Sequence, residues 1–113
     1  MRKGLSRRAV LGGALASATS LRLRAHADEA PVVHEVTIKR FTYEPKHIQA
    51  RVGDIIRWTN LDIAPHTASA DDLSWDTGEL KKGESAEMVI NDRMELTYFC
   101  VFHPHMKGKI EIV

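Results

Sequence analysis

Four side chains in this sequence have the types and spacing to share one metal ion. From Tyr98 the chain reads Tyr-Phe-Cys-Val-Phe-His-Pro-His-Met-Lys-Gly, so a thiol at Cys100, an imidazole at His103 and a thioether at Met106 recur every third residue. Pro104 rules out a continuous helix through the segment, because proline lacks the N–H and clashes with the preceding turn. Gly108 is read as the point where the backbone turns into a closing strand. Upstream, Pro65-His66-Thr67 supplies a second imidazole. Taken singly, Cys100 would be a small buried hydrophobe, His66 a hydrogen-bonded histidine and Met106 a core filler. Taken together, two imidazoles, a thiolate and a weak thioether make the donor set of an electron-transfer copper site, where sulfur favours Cu(I) and nitrogen suits Cu(II). A structural zinc site takes four firm N or S donors, and only three are present here.

Other chemistry finds little support. No Ser/His/Asp set, paired carboxylates or phosphate loop stands out, so the chain is not expected to be an enzyme. Asp71-Asp72 reads as a solvated loop, and His26, His34 and His47 lack ligand-like neighbours. His105 reads as a surface residue pointing away from His103.

The elements that must position these ligands are strands. Period-two patterning dominates from residue 32 onward, and no stretch sustains a helical period. Strands are expected at 32–40, 48–52, 55–60, briefly from Thr67, then at 85–90, 96–100 and 109–113. Between them lie the turn residues Glu44-Pro45, Gly53-Asp54, Ala64-Pro65, Lys81-Lys82-Gly83 and Asn91-Asp92. This is the spacing of an all-β sandwich, which can bring His66 beside the 100–106 loop. Residues 68–82 fit no regular element.

The chain of 113 residues is divided in charge. Six of its sixteen basic residues (Arg2, Lys3, Arg7, Arg8, Arg22, Arg24) precede Asp28 and no acidic residue does, leaving ten basic against fifteen acidic from Asp28 onward. That acidic remainder argues against binding along a nucleic-acid backbone. Residues 1–27 read as a cleavable export signal: Ser6-Arg7-Arg8 precedes an apolar, small-residue run from Ala9 to Leu21, and Ala25-His26-Ala27 offers a cleavage site. The run is too short to span a bilayer, which takes about 20 residues, and the paired arginines suggest the twin-arginine route. Residues 28–113 then form a single copper-binding domain. One cysteine permits no intrachain disulfide.

Asn60 with Pro65-His66, then Cys100, His103 and Met106, resembles the type 1 blue copper proteins, or cupredoxins, and among them the amicyanin type. That type shares the two-residue gaps Cys-x2-His-x2-Met, the proline after the second histidine and the glycine two residues after methionine. The likeness runs from about Val36 to Val113 and includes the Val52-Gly53-Asp54 turn and Trp58. It implies a Greek-key sandwich of about seven to eight strands and one copper ion held by His66, Cys100, His103 and Met106. The function implied is a monomeric periplasmic shuttle of single electrons, whose partners are a periplasmic dehydrogenase or a cytochrome. It further implies that Asn60 ties the two ligand loops together, that Thr67 N–H points at the Cys100 sulfur, and that His103 lies at the surface within a rim of Ala64, Pro65, Phe102, Pro104 and Met106. Phe102 and His105 depart from the type, which has proline and phenylalanine there. A periplasmic copper carrier or buffer with no redox role is the alternative.

Overall fold

A computed structural model describes residues 30–113; the expected leader at 1–27 lies outside them. Eight strands form: β1 (Val33–Lys39), β2 (Thr42–Glu44), β3 (His47–Ala50), β4 (Ile55–Asn60), β5 (Ser69–Ala70), β6 (Ser85–Val89), β7 (Thr97–Phe99) and β8 (Lys107–Ile112). They make two four-stranded sheets, β2-β1-β4-β6 and β3-β8-β7-β5, and no helix occurs among the described residues. The expected all-β sandwich is therefore what the chain adopts. Both sheets are mixed: β1 lies parallel to β4 and β3 parallel to β8, while the other neighbours are antiparallel. No helix of the described residues is long and apolar enough to cross a membrane.

Alternation explains the layers. Val36 and Ile38 of β1, and Ile56, Trp58 and Asn60 of β4, turn inward and are buried, as period two requires. Outward on the same strands, Arg57 pairs with Glu35 at 2.6 Å and Glu87 at 2.5 Å, its direct neighbours in register on β1 and β6. These groups are exposed, so the row favours register more than it adds stability. Between the sheets Trp58 stacks on Trp75 with centroids 5.7 Å apart, and Tyr98 meets Trp58, Trp75 and Tyr43 at 5.5, 5.8 and 4.8 Å. Each such ring contributes a few kcal/mol by leaving water.

Gly108 plays a different part from the one expected. It lies within β8, opposite Tyr98 in register, and a Cβ there would sit inside the Tyr98 ring. The glycine is needed for close approach, not for a turn.

Three connections deliver the site to one end of the sandwich. The chain leaving β4 runs directly to His66, β7 leads into Cys100, and the pairing Ser69↔Phe99 between β5 and β7 draws those two segments together. The third is the turn from β1 to β2, where Arg40 and Phe41 both have positive φ, 54° and 60°.

Candidate metal centre

The loop after β7 is built from its own backbone. His103 N–H donates to the Cys100 carbonyl (3.1 Å) and Met106 N–H to the His103 carbonyl (2.9 Å), while Cys100 N–H closes the loop onto the Met106 carbonyl (3.2 Å). Two successive turns of three residues thus put every third side chain on related positions, the physical content of the Cys-x2-His-x2-Met spacing. The opposite segment is held just as firmly: His66 exchanges both backbone hydrogen bonds with Leu80, at 3.1 and 2.8 Å.

His66 and Cys100 are fully buried and His103 is partly exposed. Cys100 Sγ lies 3.7 Å from His66 Nδ1 and 3.6 Å from His103 Nδ1, and all three atoms fall within 4.8 Å of one another. An ion about 2.0–2.1 Å from each nitrogen and about 2.3 Å from sulfur, with donor angles near 110–120°, requires S···N separations of roughly 3.6–3.8 Å. The observed separations meet that requirement, so the donor set fits a small soft-to-borderline ion such as copper. Met106 is buried on the same loop, not on the surface rim where it was expected. His105 is exposed, its ring centroid 6.4 Å from that of His103, and it stands outside the converging group.

The two ligand segments are joined by Thr67. Its N–H points at Cys100 Sγ (3.4 Å), as expected, and its hydroxyl accepts Val101 N–H (3.0 Å). Tyr43 hydroxyl donates to the Thr67 carbonyl from below. Burial first, then the charges of Cys100 and Tyr98, push the Tyr43 phenol well above its ordinary range, so it stays a neutral donor. The expected tie through Asn60 is local instead. Asn60 is buried and donates to the carbonyls of Ala64 (2.9 Å) and Leu80 (2.8 Å), while its own carbonyl accepts Asp62 N–H (2.8 Å). These bonds shape the His66 loop, and none of them reaches the Cys100 loop.

Two residues that the sequence did not single out stand against the imidazoles. Asp62 Oδ2 accepts a hydrogen bond from His66 Nε2 at 2.9 Å. The same carboxylate takes the amides of Arg40 (Oδ1, 2.8 Å) and Phe41 (Oδ2, 3.0 Å). Burial pushes the Asp62 carboxyl up, but those two amides and the His66 ring outweigh it and hold the group below its ordinary value. Phe41 packs edge-on to both His66 and His103, with centroids 5.1 and 4.7 Å apart and planes at 89°. Burial, with the neighbouring His66 and His105, holds His103 below the ordinary histidine value. The only signal for Asp62 in the sequence was its place four residues before His66; Phe41 gave none.

Around the exposed edge of His103 lies an apolar rim. Phe102 is 47% exposed and Phe41 41%, and a groove of about 570 Å³ continues past Phe41, Leu61, Asp62, Ile63, Ala64 and Lys82.

Residues 9–112 match the family of cupredoxin-like domains. Among curated proteins the chain is similar to amicyanin from Paracoccus denitrificans, 26% identical over 84 residues, a match covering 68% of this chain and 63% of that protein. Among solved structures it is similar to a reduced Cu(I) form of an amicyanin variant, with a TM-score of 0.62 at 26% identity over 77% of this chain and 88% of the other. It is also similar to a copper-containing nitrite reductase from Thermus scotoductus SA-01, with a TM-score of 0.63 at 26% identity over 74% of this chain but only 22% of the reductase.

Proposed function

The chain belongs to the cupredoxin-like domain family, and from that premise we propose that it is a periplasmic electron carrier, amicyanin-like and not an enzyme, holding one copper ion with His66, Cys100, His103 and Met106. The observation that carries this reading is the convergence of Cys100 Sγ with the Nδ1 atoms of His66 and His103 at 3.7 and 3.6 Å, separations suited to one shared ion. When bound, copper supplies a one-electron couple between Cu(I) and Cu(II). The protein's own contribution is to keep the donors still. Cys100 and His66 are fully buried and bonded into two separate segments, so little rearrangement accompanies a change of charge at the centre. Thr67 N–H draws charge from the Cys100 sulfur, which favours the reduced state and raises the potential. His103, partly exposed within the apolar rim, gives the electron its shortest way out. A small apolar rim suits brief docking, since electron-transfer complexes bury little area and part quickly.

In this reading the protein works as a monomer and meets a periplasmic dehydrogenase or a cytochrome in turn. Residues 1–27 act as the export signal, removed to leave Asp28 first. Replacing Arg7 and Arg8 with Lys should block accumulation outside the cytoplasm; normal export of that variant would count against the twin-arginine route. The experiment that tests the function is one absorption spectrum with added Cu(II), followed by repeated reduction and reoxidation. Intense blue colour and retention of the metal through the cycles are expected. Colourless Cu(II) would refute the ligand set, and copper passing to a metal-free acceptor faster than electrons are exchanged would favour a carrier.

A further inference from the structure

The β1–β2 turn is built against local preference. Arg40 and Phe41 both have positive φ, an uncommon state for any residue with a Cβ and an outlier for a bulky one, where Gly or Asn is the ordinary choice. The same turn leaves a phenylalanine ring 41% exposed. Both features make sense through what they touch: the two amides of the turn are gathered by the Asp62 carboxylate, and the ring lies edge-on to both imidazoles.

We infer that Asp62 and Phe41 form a clamp that assembles the metal centre before any ion arrives, Asp62 fixing which nitrogen of His66 faces Cys100 and Phe41 restraining the rotation of both rings. The inference rests on the copper reading for its purpose, though not for its geometry. An ionised carboxylate can only accept hydrogen bonds, so at Asp62 the Nε2 atom of His66 must carry the hydrogen. In a neutral ring Nδ1 is then left with its lone pair, and it is Nδ1 that faces Cys100 Sγ. Asp62 is itself held from behind, its N–H bonded to Asn60. One carboxylate therefore couples the strained turn, the tautomer of His66 and the loop that carries it. Both are positioning residues; neither points a ligand atom at the site.

The test uses the full chain without metal, its histidines labelled with 15N, in long-range 1H–15N spectra that distinguish the two tautomers. The parent should show His66 as the Nε2–H form. In Asp62→Ala no acceptor remains for the His66 Nε2–H, and the Nδ1–H form of His66 is expected to appear. Cu(II) affinity should then fall about 10–100-fold, the usual effect of losing an outer partner of a histidine ligand. Phe41→Gly relieves the φ and removes the ring: the chain should be at least as stable to denaturant, yet its Cu(II) affinity should drop and its His103 ring signals broaden. Arg40→Gly relieves φ but keeps the ring, and should leave tautomer and affinity at parental values. An unchanged His66 tautomer in Asp62→Ala, or parental affinity in Phe41→Gly, would overturn the clamp. Should Asp62→Ala fail to fold, Phe41→Gly decides alone. Because the tautomer is read without metal, it decides the role of Asp62 even if the parent bound no Cu(II), a result that would overturn the copper reading instead.

Discussion

Replacing Gly108 with alanine should damage the protein more than any other glycine substitution among the described residues. The added Cβ would overlap Cζ, Oη and Cε2 of Tyr98. That ring cannot withdraw, being fully buried and wedged among Tyr43, Trp58 and Trp75 with centroids 4.8 to 5.8 Å away. Relief must come from β8 moving off β7, at the pairs Tyr98↔Gly108 and Phe99↔Lys107. Overfilling a packed core costs roughly 1–3 kcal/mol, and each loosened ladder bond adds about 1 kcal/mol, so a loss of about 3 kcal/mol is expected. For a domain of this size that is a fall in Tm of about 12–24 °C. Gly53→Ala is the control: its φ of 97° is strained for alanine but nothing lies within 4 Å, and it should cost only roughly 1–2 kcal/mol. Urea unfolding of both variants, each also made in a Tyr98→Leu background, gives the comparison. The Gly108 cost should shrink when Tyr98 is cut back while the Gly53 cost does not. A Gly108→Ala penalty no larger than that of Gly53→Ala, or one indifferent to Tyr98, would refute the reasoning.

Other expectations concern the centre and the surface. Cys100→Ser should abolish the blue colour of the Cu(II) protein, while Met106→Leu should keep it and shift the potential, because the thioether is the weak donor; absorption spectra and voltammetry check both. Phe102→Glu should slow electron exchange with the native partner and leave the spectrum intact, since this side chain is 47% exposed beside His103; unchanged stopped-flow rates would exclude docking through it. At the other end of β4, a hydrogen bond from His34, followed by the Arg51 amide, lowers the Asp54 carboxyl to about 2. A carboxyl held below its unfolded value of 3.8 stabilises the fold above that pH, and the contribution disappears as pH falls through about 2. His34→Ala should raise the Asp54 value in an NMR titration and flatten the acid loss of stability between those limits.

The 100–106 loop was legible as a candidate because Cys100, His103 and Met106 lie in one continuous segment, and spacing within such a segment survives folding almost unchanged. Strands with clean alternation, such as 32–40 and 55–60, were legible for the same reason. β2 was not: three residues are too few to show a period, and its pairing with β1 depends on the two positive-φ residues between them. Residues 68–82 showed no pattern because only the two residues of β5 enter a strand ladder and side chains tie down much of the rest: Thr77 hydroxyl accepts Ala68 N–H, and Asp76 accepts Ser69 hydroxyl and Gly78 N–H. Asp62 and Phe41 were illegible because each acts through partners that only the closed fold supplies. Phe41 meets Asp62 across 21 residues and its two histidines only where separate loops converge. Asn60 was recognised as important but assigned the wrong partners, since sequence marks a buried amide without showing where it reaches.

The place of β8 governs how the chain must be born. Of the described strands it comes latest in sequence, yet it sits inside its sheet, between β3 and β7, with its Lys109 in register with His47 of β3. Pairings over such separations have to overcome loop-closure entropy before they gain anything, so they form late and slowly. During synthesis the second sheet cannot close until residues 107–112 have left the ribosome. Until that strand pairs with β3 and β7, the loop that begins at Cys100 is anchored at one end alone. Its thiol therefore passes through a vulnerable interval, open to oxidants and to adventitious metals, that ends only when β8 slots home. A weakened β3–β8 pairing therefore lengthens the exposure.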